Sequence, residues 1–223
     1  SNFLISNINK DMMINSNDEE KSFFSIVKNL YRVNFKSSYI YVFNQPVVHY
    51  QYEEWIMPEN LYLKSYHIGQ KLKRVEPPEQ QISVYHCIAN RYMPRDRRYT
   101  FVMVPLFSNE EQYGLFICEL DYNHFSQIYS VAPQICSAIK MTRLVKELEE
   151  KNIGRPSTYA PTITTIISRR YVAKEQKNLY VTELGEVVNN IMKQAFPSIV
   201  DVNFTATMEG LLDCVAAGTV KWK

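Results

Sequence analysis

The residues with the clearest chemical potential lie in the segment NIGRPSTYAP at residues 152–161. It combines a flexible glycine, a proline with a fixed φ angle, a guanidinium and two hydroxyls, directly before an apolar helical pattern. A guanidinium and the free N–H groups of a helix start are suitable ligands for phosphate. The pattern therefore predicts anion binding by Arg155, Ser157 and Thr158. In the alternative interpretation, Ser157 and Thr158 only cap the helix and Arg155 is solvated.

A second group of cations lies in the segment NRYMPRDRRY at residues 90–99. Two interpretations stay open: the arginines bind an acidic ligand or nucleic-acid phosphates, or the run is a solvated loop before a strand, which is the commoner case. The four arginines are Arg91, Arg95, Arg97 and Arg98.

Other site chemistries have little support in the sequence. The four cysteines form no C-x-x-C pair, so we expect reduced, buried thiols rather than a disulfide or a metal site. The four histidines are isolated from one another and show no metal-ligand spacing. We therefore expect no catalytic group, no metal and no cofactor. The residues concerned are Cys87, Cys118, Cys136, Cys214, His49, His67, His86 and His124.

The charge balance excludes a strongly basic protein. The net charge is +2, and residues 1–142 carry 14 Lys and Arg against 14 Asp and Glu, while the remainder carries 11 against 9. Neither part has the basic excess of a dedicated DNA-binding domain. No apolar run approaches the roughly 18 residues that span a bilayer, so we predict a cytoplasmic protein without a membrane partner. The start, without an initiator Met or a signal pattern, predicts that residues 1–2 are a tag remnant.

The composition changes near residue 143. Thirteen of the 16 tyrosines precede this point, and four of the six glycines follow it. We therefore predict two domains, at residues 1–142 and 143–223, in an α+β protein. In the first, acids at residues 18–20 open an amphipathic helix. Strands are predicted at residues 37–43, 62–68 and 82–89, followed by a hairpin of residues 100–107 and 112–120.

The hairpin formed by VPLF (residues 104–107) and YGLFICE (residues 113–119) resembles the late hairpin of GAF domains. The resemblance covers residues 10–142, and a PAS-like sensor is the near alternative. It implies an antiparallel sheet with helices on one face, an unknown small-molecule ligand, and a role in signalling. Such domains often precede diguanylate cyclase or regulatory output modules, and this sequence contains no such output.

A long helix is predicted from about His124 to about Glu150. Its apolar residues repeat at spacings of 4, 3, 4 and 3, which is a heptad seam. Two interpretations stay open: the helix is a coiled-coil linker that forms a parallel homodimer, or it packs on its own sheet. The seam consists of Val131, Ile135, Ala138, Thr142 and Val145.

The second domain reads as helix, β-ribbon, helix, which is a winged-helix-like plan. Its segments closely resemble bacterial type IA DNA topoisomerases: LVKELEEKNIGRPSTYAP (144–161), RYV (170–172), LYVTELG (179–185), DVNFTATME (201–209) and KWK (221–223). The resemblance implies that Arg155, Ser157 and Thr158 contact the backbone of single-stranded DNA. Asn152 departs from the family, which usually has Gly there; Asn also tolerates a left-handed backbone.

The resemblance also bears on catalysis. DNA cleavage in this family needs a tyrosine nucleophile and an acidic D-x-D-x-E metal cluster. No D-x-D occurs in the sequence, and sensor-like residues stand where the catalytic tyrosine motif precedes this segment in the family. We predict a non-enzymatic fusion of a GAF-like sensor with a topoisomerase core fragment. The alternative is a natural regulator in which the sensor domain controls DNA binding.

Overall fold

The computed structural model describes residues 19–49, 54–119, 125–175 and 178–221. Several predictions fall partly or wholly outside these residues. They concern the tag remnant at residues 1–2, the acid at residue 18, the hairpin end at residue 120, the helix start near His124, the tip of the predicted wing at residues 176–177, and the KWK segment beyond Lys221. The chain divides into two compact units, unit 1 up to Thr142 and unit 2 from Arg143. Helices and antiparallel strands are present together, so the predicted α+β class is confirmed.

Unit 1 contains one antiparallel sheet of six strands. Its principal order is β3-β2-β1-β6-β5, and β4 pairs with β2. The helix α1 precedes the sheet in the chain. Two short 3-10 turns, Pro77–Glu79 and Val84–His86, lie directly before and after β4 in the chain. The elements are α1 (Glu19–Arg32), β1 (Ser37–Val48), β2 (Asn60–Ile68), β3 (Lys71–Arg74), β4 (Gln81–Ser83), β5 (Val102–Ser108) and β6 (Glu111–Glu119).

Both faces of this sheet are covered. On one face, α1 and the first part of the long helix α2 (Gln127–Glu150) pack against strand residues such as Ile40 and Phe116. On the other face, Tyr39, Tyr41 and Leu63 pack under the segment between β3 and β5. A bulge in β2, where Ile40 and Tyr41 of β1 pair with Ser65 and Leu63, changes which residues of β2 face α1.

One strand prediction in unit 1 is partly wrong. The structure ends β4 at Ser83 and continues as a 3-10 turn, instead of a strand through residue 89. The two buried residues of this turn region, Val84 and Cys87, are three apart, which is a helical rather than an alternating spacing. The sequence also gave no signal for β3, because KLKR has neither apolar alternation nor a high content of β-branched residues.

The first three residues of the α2 heptad seam lie in the core of unit 1. Val131, Ile135 and Ala138 are almost fully buried among the residues of α1 and the sheet. The interpretation that this helix packs on its own sheet therefore describes the structure, and these three side chains are not available to a second chain. No described helix has both the length and the apolar composition needed to cross a membrane.

Unit 2 contains the end of α2, three further helices and a two-stranded ribbon. The elements are α3 (Pro156–Ser168), β7 (Val172–Glu175), β8 (Asn178–Val181), α4 (Glu183–Ala195) and α5 (Val202–Ala216). Of the described residues after Arg143, only Val145 and Gly185 are buried. Local hydrogen bonds and helix caps therefore stabilise this unit more than a hydrophobic core does.

Candidate nucleic-acid interface

The turn between α2 and α3 depends on two residues with left-handed backbones. Asn152 has a φ of 54° and Gly154 has a φ of 74°. The Asn152 value confirms that this asparagine adopts the left-handed backbone that asparagine tolerates. A Cβ at Gly154 would lie 2.7 Å from Cε1 of Tyr159, whose hydroxyl donates a hydrogen bond to the Ile153 carbonyl at 2.8 Å. The tyrosine ring thus closes over the turn.

The start of α3 is held by Thr158. Its Oγ1 accepts a hydrogen bond from the Arg155 backbone N–H at 2.9 Å, and its own backbone N–H donates to the Arg155 carbonyl at 2.8 Å. This is the reciprocal half of a capping box, in which the third helical residue reaches back to the capping residue. Ser157 is exposed, and its hydroxyl makes no hydrogen bond to the described part of the chain. The predicted capping role is therefore confirmed for Thr158 and wrong for Ser157.

Arg155 is bound by carboxylates of α5. Its Nη2 donates to both carboxylate oxygens of Asp213, at 2.6 and 2.5 Å, and its Nη1 donates to Oε2 of Glu209 at 3.1 Å. The hydrogen bond with Asp213 raises the pKa of Arg155. Oε1 of Glu209 accepts the Gly154 N–H at 2.8 Å. A phosphate approaching this guanidinium would therefore compete with two acidic side chains.

Sequence reasoning did not predict the two acidic partners. Glu209 ends the DVNFTATME motif, and Asp213 follows four residues later. Residues four apart lie on one face of a helix, so the diacidic face of this helix was visible as a pattern. The sequence did not show which of the many cations this face would bind.

Two further motif segments meet at the start of α4. The hydroxyl of Thr182 donates to the Arg170 carbonyl at 2.7 Å and accepts the Gly185 N–H at 3.0 Å, so it caps α4. A Cβ at Gly185 would lie 2.0 Å from the Tyr171 carbonyl oxygen. The RYV and LYVTELG segments therefore form one local contact, which requires a glycine at position 185.

In the arginine-rich segment of unit 1, some of the arginines pair with acidic side chains and others do not. Arg97 donates two hydrogen bonds of 2.6 Å to the buried carboxylate of Glu119, and these bonds lower the pKa of Glu119. Arg91 lies 3.3 Å from Glu79 and 4.9 Å from the centre of the Tyr92 ring. Arg95 and Arg98 are exposed and have no partner among the described residues. The simple solvated-loop interpretation thus fits two of the four arginines.

Unit 1 also contains an apolar groove of about 390 Å³ between β5 and the first turns of α2. Phe107, Phe125 and Tyr129 line its open side, and Val104 and Ala132 lie in its wall. The lining is predominantly apolar, so the groove offers packing rather than hydrogen bonds to an occupant.

Metal and thiol chemistry have little geometric support. No three His, Cys, Asp or Glu side chains of the described residues form a group that could hold a metal ion. Cys87, Cys118 and Cys136 are buried thiols outside any disulfide, as predicted, and burial raises the pKa of the Cys118 thiol to about 12. Cys214 is also outside any disulfide, but it is exposed, so the prediction of burial is wrong for it. It lies near the end of α5, where unit 2 has no core to cover it.

Comparison with known families concerns the second unit and the end of the first. Residues 132–223 match the family model described as DNA topoisomerase. A type IA topoisomerase segment is present in the C-terminal part of this chain. The match covers about two fifths of the chain. It begins within α2, ahead of the compositional boundary at residue 143, and includes every motif segment that carried the resemblance.

The topoisomerase segment contains the three residues predicted to contact DNA. Arg155, Ser157 and Thr158 all lie at the N-terminus of α3. Their roles in the fold differ: Arg155 joins α3 to α5, Thr158 caps α3, and Ser157 leaves its hydroxyl exposed. Of these three residues, Ser157 is the one whose side chain has no intramolecular partner among the described residues, so it can bind a ligand without exchanging one.

Proposed function

We propose that the C-terminal part of the chain is a DNA-binding fragment of a type IA topoisomerase core that contacts single-stranded DNA at the start of α3. The observation that carries the proposal is the match of residues 132–223 to the DNA topoisomerase family, with the GRPST motif at an exposed helix N-terminus. Helix N-termini attract phosphates through their free N–H groups and the helix dipole. The carboxylates of Glu209 and Asp213 oppose this attraction, so we expect weak binding.

Ser157→Ala is the most direct test of this contact. The described fold makes no use of the Ser157 hydroxyl, so its removal leaves the helix cap intact. We expect weaker binding of a labelled oligothymidylate of about 16 nucleotides in fluorescence anisotropy at low salt. Ser168→Ala, at the other end of α3, is a matched control and should bind as the unchanged chain does. Equal binding by Ser157→Ala and the control would contradict the proposed contact.

We further propose that this chain does not cleave or relax DNA. The sequence of 223 residues contains no D-x-D, and type IA chemistry requires an acidic metal cluster and a tyrosine nucleophile. The expected result is no relaxation of negatively supercoiled plasmid by the purified chain in the presence of Mg²⁺. Magnesium-dependent relaxation that persists through further purification would contradict the proposal.

For unit 1 we propose a GAF-like sensor joined to the topoisomerase segment as a chimera, in a cytoplasmic protein. The antiparallel sheet with α1 and α2 on one face is the arrangement that the GAF resemblance implies, and it supports the proposal. The apolar groove between β5 and α2 favours a hydrophobic small molecule as the ligand. In the rival function, a natural regulator, such a ligand would change the affinity of the chain for DNA. Oligonucleotide titrations with and without a bound ligand separate the two proposals, because only the natural regulator should change its affinity for DNA when the ligand binds.

A further inference from the structure

The face of the unit 1 sheet opposite α1 and α2 carries a row of aromatic and basic side chains. Residues directly opposite each other in an antiparallel pair point to the same face. Tyr39 of β1 pairs with Tyr66 of β2, and Tyr66 pairs with Lys73 of β3. The next pair outward, Ile68 with Lys71, adds a second lysine to the same face. A tyrosine therefore lies between the centre of the sheet and a basic edge strand.

The aromatic rings of this face are in contact with one another. Tyr66 stacks on the buried Tyr39, with ring centres 5.7 Å apart and planes 6° apart, and it also meets Tyr92 at 5.3 Å. Phe101 packs edge-on against Tyr39 at 5.6 Å, and Tyr99 meets Phe101 at 4.5 Å. Tyr39 is fully buried, whereas the other four rings retain exposure. The core thus holds a group of partly exposed rings in fixed positions, which reduces the entropic cost of stacking a ligand on them.

Several cations of β3 and of the segment that carries Tyr92 and Tyr99 are not neutralised by the described residues. Lys71, Lys73, Arg95 and Arg98 are exposed, and no described carboxylate pairs with them. Arg91 is paired with Glu79 and lies over the ring of Tyr92. We call the group formed by Tyr66, Lys71, Lys73, Tyr92, Arg98 and Tyr99 the basic aromatic face.

We propose that the basic aromatic face binds single-stranded nucleic acid, with bases stacked on Tyr66 and Tyr99 and phosphates near Lys73 and Arg98. Proteins that bind single strands combine aromatic platforms with a track of positive charge, because every base has a flat π-face and every nucleotide a negative charge. A duplex keeps its bases stacked internally, so it can use only the cations of this face. The site lies wholly in unit 1 and is separate from the contact proposed at α3.

The test is fluorescence anisotropy of the full chain with a labelled oligothymidylate of about 16 nucleotides. We expect Tyr99→Ala to weaken binding about tenfold or more, since stacking on an aromatic side chain contributes strongly for each base. Lys73→Ala should reduce the slope of log Kobs against log salt by about 0.7, the value for one phosphate contact on a single strand. A duplex of the same length should bind more weakly than the single strand.

Two matched controls lie on other surfaces of unit 1. Trp55→Ala removes an exposed ring ahead of β2, and Lys28→Ala removes an exposed cation on α1. Both should bind as the unchanged chain does. Binding of Tyr99→Ala equal to that of Trp55→Ala would overturn the proposal, as would equal affinity for the duplex. Loss of binding in Ser157→Ala alone would place the oligonucleotide on unit 2 and overturn the proposal for the basic aromatic face. Loss of binding in Tyr99→Ala alone would support the basic aromatic face and contradict the contact at α3.

Discussion

Gly154 shows how one residue controls the turn that presents Arg155. Its φ of 74° is unfavourable for a residue with a side chain, and a Cβ there would lie 2.7 Å from the Tyr159 ring. We predict that Gly154→Ala destabilises unit 2 by about 1–2 kcal/mol. Faster hydrogen exchange in α3 would measure the effect. Gly210→Ala in α5 is the matched control, because a Cβ there meets nothing within 4 Å, and it should stabilise its helix by about 0.5–1 kcal/mol.

His67 is the residue that links the stability of unit 1 to pH. It is fully buried beside Tyr31, its Nε2 has no hydrogen-bond partner among the described residues, and burial lowers its pKa to about 4. The unfolded chain binds a proton near pH 6.5, before the folded chain does. The contribution of neutral His67 is therefore complete above pH 6.5 and is lost as the pH falls toward 4, by about 3 kcal/mol.

His67→Phe should remove this loss while keeping a ring against Tyr31. We expect urea unfolding monitored on unit 1 to show a smaller decrease in stability between pH 6.5 and pH 4 than in the unchanged chain. His86→Gln, which changes an exposed histidine, should leave the decrease as it is. An identical pH dependence in His67→Phe and the unchanged chain would contradict the assignment to His67.

Among the elements, α3 depends on its cap more than on packing. Thr158 joins the helix start to Arg155 through its hydroxyl, whereas the neighbouring Ser157 does not use its own. We predict that Thr158→Val costs about 1 kcal/mol and that Ser157→Ala is neutral for stability. Thermal unfolding, monitored through hydrogen exchange in α3, compares the stability of the two variants. A loss of stability in Ser157→Ala equal to that in Thr158→Val would contradict this prediction, because the Ser157 hydroxyl would then also stabilise the helix.

The elements also show what local sequence can and cannot predict. The β5–β6 hairpin was predictable because two apolar runs flank a short polar turn, and Asn109 accepts the left-handed backbone of that turn. The burial of the α2 seam was not predictable, since a heptad pattern gives the apolar face of a helix without naming what covers it. For the same reason, the GRPST motif predicted a helix start at Pro156 but not the ion pairs of Arg155 with α5, which depend on residues more than 50 positions away.

At the scale of the whole molecule, the two units differ in how they are stabilised. Unit 1 has two hydrophobic clusters, one on each face of its sheet. In unit 2, by contrast, the apolar side chains of α4 are half exposed: Leu184, Val187 and Ile191 are 51–57% accessible, and Phe204 and Leu211 of α5 are also exposed. Leu184, Val187 and Ile191 are three and four residues apart, so α4 carries an exposed apolar stripe, which is unusual on an isolated monomer. Unit 2 thus leaves apolar side chains of its helices uncovered, and it lies in the part of the chain that matches the DNA topoisomerase family.

This exposure predicts how the purified chain behaves in solution. We expect the full chain to bind the hydrophobic dye ANS and to self-associate as its concentration rises, because apolar surface in water favours association. Leu184→Gln combined with Ile191→Gln should lower both the dye fluorescence and the apparent mass in size-exclusion chromatography. Asn189→Gln, an exposed polar position of the same helix, is the control. Unchanged dye binding in the double variant would mean that other residues cover α4, and that unit 2 is a self-contained domain rather than part of a larger core.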